Sequence, residues 1–118
     1  MAKGISIHII DVSRGVPAAN LRVLLYKLDT ARRLLLDQPT TASGVLDHPV
    51  VSGIGVDAGL YEAEFHIGDY YRSQGFDLPQ PAFLEVAVFR FGVADPDSHY
   101  HLPLKMTAWG FSLFRGGA

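Results

Sequence analysis

Leu60 to Ile67, LYEAEFHI, alternates without a slip. Tyr61, Ala63, Phe65 and Ile67 fall on one side of an extended backbone, Glu62, Glu64 and His66 on the other, and that period marks a half-buried strand. Similar short runs recur along the chain, each closed by turn residues. Ile5–Val12 and Leu21–Leu28 are rich in β-branched and aliphatic residues. Arg32–Leu36 follows a short Asp29-Thr30 turn, and Val45–Val51, interrupted by Pro49, suits an edge strand. Phe83–Phe91 has so little polar content that both of its faces are expected to be covered, and His99–Met106 and Phe111–Arg115 complete the set. Between them only Gly68–Gly75 reads as helix, one or two turns with Asp69 as cap and Gly75 as stop. Spacings of about 8–12 residues without β-α-β alternation predict an all-β sandwich of seven or eight strands with one short helix.

The 118 residues, 48% of them hydrophobic, are expected to form a single domain over 1–118 with a real core. The apolar fraction is high for that size, so some apolar surface is expected to lie under partner subunits. A net charge of −2, with basic residues scattered, argues against a nucleic-acid footprint or an anionic membrane surface. No cysteine is present, which excludes disulfides and thiolate chemistry. Residues 1–4 lead straight into a strand pattern, and no run of about 18 apolar residues occurs. A cytoplasmic protein is the expectation.

Five histidines stand out from this background: His8, His48, His66, His99 and His101. His66 alternates with glutamates and is expected to be exposed, and His48, before Pro49, has no evident task. His99 and His101, two apart on a strand, share a face, a spacing that can hold a metal. No third ligand stands near them, and we assign no metal. His8 lies in an apolar strand, on the face shared by Ser6 and Ile10 and opposite Ile5, Ile7 and Ile9. Spacing alone reads His8 equally as a satisfied core histidine or as a functional one. A neutral imidazole suits general-base work near neutral pH, and a pair with a cation could activate water at a carbonyl.

Three stretches carry a resemblance. Ser6-Ile7-His8-Ile9-Ile10-Asp11 with Gly15-Val16-Pro17-Ala18, Tyr100-His101-Leu102-Pro103-Leu104, and Trp109-Gly110-Phe111-Ser112-Leu113-Phe114-Arg115-Gly116 resemble the signatures of the 5-hydroxyisourate hydrolase family, the transthyretin-related proteins. The resemblance spans nearly the whole chain. It implies a transthyretin-like β-sandwich and a homotetramer, a dimer of dimers with sites in the channel between dimers. It implies a small-molecule substrate, 5-hydroxyisourate, whose ring is opened by water without metal or organic cofactor. The family's two catalytic histidines map onto His8 and His101 and its terminal arginine onto Arg115, with His99 as a neighbour.

The departures run in one direction. The family's arginine after an Asp-Gly pair aligns with Val45, its terminal serine with Gly117, its tyrosines with Phe111 and Phe114 and its threonine with Leu113, while Ala118 extends the usual end. Each substitution removes a charge or a hydroxyl from residues that the resemblance places near substrate. One explanation is a less polar substrate, such as an N-methylated 5-hydroxyisourate derived from a methylxanthine. The other is lost catalysis in a transthyretin-like binding or scaffold protein. Retention of both His8 and His101 favours the enzyme.

Overall fold

The computed structural model describes residues 3–117, and Ala118 lies outside them. Eight strands follow in chain order: β1 (Gly4–Asp11), β2 (Val16–Pro17), β3 (Arg22–Leu28), β4 (Arg32–Pro39), β5 (Gly59–Phe65), β6 (Ala87–Val93), β7 (His99–Thr107) and β8 (Gly110–Leu113). One helix, α1 (Ile67–Ser73), joins β5 to the segment before β6. Two four-stranded sheets result, ordered β2-β1-β7-β8 and β4-β3-β5-β6. They face each other across a core built from alternating strand positions, as a β-sandwich requires. Ile5, Ile7 and Ile9 of β1, Leu102 and Leu104 of β7, and Tyr61, Ala63 and Phe65 of β5 are all buried there. Each large aliphatic side chain buried this way stabilises the fold by roughly 1.5–3 kcal/mol.

One pairing is parallel, and it determines where the chemistry lies. β1 runs alongside β7 with Gly4 opposite His99, Ser6 opposite His101 and His8 opposite Pro103. Since neighbours in register share a face, the inward isoleucines of β1 lie beside the inward Tyr100, Leu102 and Leu104. Ser6, His8, His99, His101 and Pro103 consequently share the outward face of that sheet.

The end of β1 is fastened to the helix by a buried carboxylate. Asp11 is fully buried, and it accepts hydrogen bonds from Tyr70 Oη at 2.9 Å and Tyr71 Oη at 2.7 Å. Burial pushes the Tyr71 phenol well above its ordinary pKa, so the hydroxyl remains a donor.

Several expectations from sequence are revised. Val45–Val51 is not an edge strand: Val45 makes one bridge to His8, and Pro49–Ser52 is a 3-10 turn. Its cause is His48, whose Nδ1 accepts from Val50 N at 3.1 Å while Pro49 occupies the first turn. β6 begins at Ala87 rather than Phe83, because Glu85 turns back to accept from Ala82 N and to pair with Arg72. Nor is β6 covered on both faces, since Val88 is exposed. His66, not Asp69, occupies the helix N-cap position. Only 19% of the His66 side chain is accessible, and its Nε2 is buried without a partner among the described residues. Among those residues, no helix is long and apolar enough to cross a membrane.

Candidate active site

The imidazole face of the β1–β7 sheet is assembled from both ends of the described chain. Ser6 is the centre of its hydrogen bonding: Ser6 Oγ lies 2.7 Å from His101 Nδ1 and 2.7 Å from His99 Nε2. His99 Nδ1 in turn lies 2.8 Å from the carbonyl oxygen of Lys3. Histidines at i and i+2 of a strand can both reach one hydroxyl only because Ser6 stands in register with the second of them.

His101 is half-buried, and its pKa is lowered from the usual 6.5. Burial is the main cause, followed by repulsion from His99 and then from His8. His8 stands on the same outward face, opposite Pro103 and so two residues along from the Ser6–His101 step. The His8 imidazole makes no hydrogen bond to another described residue, so both of its nitrogens remain available to a ligand. Among the described residues no group of three potential ligands is arranged to hold a metal ion.

Val45 reaches the site through a turn. Gly44 N donates to Thr41 O at 2.9 Å, and Thr41 N donates to Val45 O at 2.8 Å. The turn is pinned to β1 by Ile9 N donating to Gly44 O at 2.8 Å, which sets Val45 opposite His8. Gly44 has φ +76°, and a Cβ there would come within 2.6 Å of Ile9 O, so only glycine fits this approach.

After β8 the tail continues along β7. Gly116 N donates to His101 O at 2.6 Å. A Cβ on Gly116 would lie 2.9 Å from His101 Cδ2 and 3.0 Å from Pro103 Cδ, so its bare backbone packs against the imidazole edge. Arg115 turns the other way. Its guanidinium lies 3.9 Å from the Tyr100 ring centre and donates to His99 O at 3.1 Å. Tyr100 belongs to the inward face of β7, so the structure does not bring the Arg115 cation to the imidazoles. It forms one wall of a cavity of about 240 Å³ with Phe89, Phe91, Tyr100 and Leu102. Phe111 and Phe114 are exposed, at 43% and 47%, and Gly117 is exposed at the end of the described chain.

His8, His101, Val45 and the Gly116 backbone are thus brought together, and Arg115 is set apart from them. Sequence reasoning missed Ser6, Gly116 and the exposed Lys105, which follows Pro103 on the outward face of β7. Ser6 had one visible signal, its place two residues before His8. Its closeness to His101 depends on the parallel register, which no local pattern encodes.

A two-sheet sandwich carrying paired histidines on one outer face defines a class, and comparison with known proteins assigns the chain within it. Residues 5–116 match the model of the HIUase/Transthyretin family, and the chain belongs to that family. It is 47% identical to the "5-hydroxyisourate hydrolase 2" of Rhizobium meliloti (strain 1021) over 110 residues, covering 92% of each chain. It also resembles a solved "(S)-allantoin synthase" with TM-score 0.89 and 33% identity, covering 98% of this chain but 44% of that one. The transthyretin of Sparus aurata shares the fold, with TM-score 0.82 at 23% identity over 94% of each chain. The fold is therefore a transthyretin-like β-sandwich.

Proposed function

We propose that the chain is a hydrolase that opens the ring of 5-hydroxyisourate or a less polar analogue, with His101 and His8 activating water. The observation that carries this reading is the His101 imidazole, held on an accessible face beside His8 with its protonated form disfavoured. Relatives named 5-hydroxyisourate hydrolase, one at 47% identity across 92% of the chain, support it.

In this mechanism neutral His101 takes a proton from water as the oxygen attacks a ring carbonyl. The C–O bond forms, the carbonyl oxygen becomes an oxyanion, and the ring C–N bond breaks as the oxyanion collapses. The departing nitrogen receives a proton from the histidine pair, restoring the neutral base. His8, free of protein hydrogen bonds, is placed to orient the water or to hand on that proton. Arg115 enters through the backbone, since it grips the His99 carbonyl and the Tyr100 ring and so ties the tail to β7.

Val45, Phe114 and Gly117 form the substrate-facing set in this proposal and point to the methylated analogue, while Phe111 pairs with the inward Met106 on the other face of the sheet. A ring N–H replaced by N–CH3 would leave a facing buried polar group unpaired, at roughly 1–3 kcal/mol. A methyl against valine or phenylalanine instead gains about 0.8 kcal/mol. The assembly belonging to this reading is a homotetramer whose channel covers the imidazole face. The alternative is a transthyretin-like protein that binds a ligand without turnover; the apolar substitutions fit it as well, and the retained His8 and His101 favour the enzyme.

Freshly generated 5-hydroxyisourate and its N-methylated form, followed separately by ultraviolet decay, test the proposal. Accelerated decay of the methylated compound is the expected result. Preference for the unmethylated one removes the methyl-pocket argument, and no acceleration of either leaves the binding protein.

A further inference from the structure

Ser6 and His99 adjoin the imidazole that the proposed reaction uses, and so far they have no part in it. Lys3, His99, Ser6 and His101 form one continuous line of hydrogen bonds, at 2.8, 2.7 and 2.7 Å. Donor and acceptor chemistry orders its protons. A carbonyl oxygen only accepts, so the proton between Lys3 O and His99 sits on His99 Nδ1. In neutral His99 the Nε2 lone pair is then bare, and it accepts the single proton of the Ser6 hydroxyl. Ser6 Oγ, with its own proton directed at His99, meets His101 as an acceptor. His101 Nδ1 must therefore carry a hydrogen, and His101 Nε2 is left with its lone pair.

We propose that Ser6 and His99 are positioning residues that lock His101 in the Nδ1–H tautomer and so present Nε2 as its basic nitrogen. The role in turnover rests on the hydrolase reading; the tautomer itself does not. Holding an imidazole in one tautomer is what the orienting partner of a catalytic histidine does, and here a neutral hydroxyl and a second imidazole do it in place of a carboxylate. The line is directional because it ends on a main-chain carbonyl, which cannot donate. It also responds to protonation. When His101 accepts a proton, its Nδ1–H to Ser6 Oγ bond becomes charge-assisted and strengthens. The acceptor already in place thus offsets part of the penalty that burial sets on the imidazolium. On the opposite side of the ring, Gly116 backbone lies against Cδ2 and limits rotation.

Long-range 1H–15N correlation spectra of 15N-histidine-labelled protein at pH 8 read the tautomer directly, with His101→Asn assigning its signals. The expected wild-type spectrum shows His101 protonated on Nδ1 and bare on Nε2. Ser6→Ala removes the acceptor, and His99→Ala frees the Ser6 hydroxyl to donate towards His101. Both variants should shift His101 towards the Nε2–H form, while Ser6→Thr keeps the wild-type pattern. In the decay assay Ser6→Ala and His99→Ala should lose roughly ten- to a hundredfold in kcat, with KM little changed. Two variants on different strands keep the test open if one fails to fold. A wild-type His101 protonated on Nε2, or tautomers unmoved in both variants, overturns the lock. A tautomer that moves as expected in a protein without turnover upholds the lock and removes the hydrolase reading instead.

Discussion

Gly116→Ala sets three local structures against each other, and their relative costs decide the phenotype. The new methyl would sit 2.9 Å from His101 Cδ2, 3.0 Å from Pro103 Cδ and 3.2 Å from Pro103 Cγ. Comfortable carbon contacts lie near 3.5–4.0 Å, so about half an ångström of overlap must be relieved. Leaving the atoms in place costs roughly 1–3 kcal/mol, as other overpacked sites do. Lifting the tail breaks Gly116 N to His101 O and Arg115 to His99 O and unstacks the guanidinium from Tyr100. Those three losses together come to about 2–4 kcal/mol. Turning the imidazole away stretches its bond to Ser6, worth roughly 0.5–1.5 kcal/mol, and leaves the Pro103 ring to give by a few tenths of an ångström.

The third route is cheapest, so the imidazole moves while the fold stays. The expected result is a loss of about 1 kcal/mol in stability, a fall in Tm of roughly 3–6 °C for a chain of this size. Activity should fall much further, by about a hundredfold in kcat, because a base displaced by an ångström no longer reaches its proton. Thermal melts followed by circular dichroism and initial rates of ultraviolet decay measure the two effects on one preparation. Gly110→Ala is the control, since a Cβ there meets nothing within 4 Å. Unchanged kcat in Gly116→Ala, or a large stability loss with kcat intact, would refute the ranking of costs.

Other perturbations separate the parts of the proposal. Asp11→Ala leaves the Tyr70 hydroxyl buried without its acceptor and Tyr71 with only the longer bond to Met106 O at 3.3 Å, and should cost about 2–4 kcal/mol in urea denaturation. The acid limb of the kcat/KM profile should have its midpoint below 6.5, because the base must be neutral and the His101 pKa is lowered; a limb above 6.5 would assign the base elsewhere. Stability follows the same sign. Between its native pKa and 6.5, His101 binds its proton in the unfolded chain and not in the native one. That contribution is complete above 6.5 and is lost as pH falls through the native value, which denaturant midpoints at stepped pH will show. Val45→Arg places a cation beside His8 and should raise kcat/KM for unmethylated over methylated substrate by roughly tenfold, at about 1.4 kcal/mol.

Much of the scaffold is legible in local pattern, because a strand with one buried face records its burial every second residue. The alternations of β1 and β5 show this, and Ile5, Ile7, Ile9, Tyr61, Ala63 and Phe65 are all buried as the period requires. Where a side chain overrides the backbone, the pattern misleads. His48 caps a 3-10 turn inside a stretch that reads as strand, and Glu85 holds a loop inside another. His66 looks solvent-facing beside its glutamates, yet the start of α1 folds it inward. The candidate site is legible by residue and not by arrangement. His8 and His101 announce themselves as imidazoles in apolar strands. That Ser6 lies between His99 and His101, and that Arg115 falls on the inner side of β7, depends on strand register across almost the full chain.

The parallel pairing of β1 with β7 also has a consequence for biosynthesis. Ser6 and His101 are 95 residues apart, so the partner of β1 is made long after β1 itself. Until β7 emerges, the isoleucine row of β1 has only the two-residue β2 beside it in its sheet. A nascent chain must keep that apolar row from other chains until β7 has been made. The same delay means that no product truncated before His101 can carry the His8–His101 pair. The imidazole face comes into being only once β7 has been made.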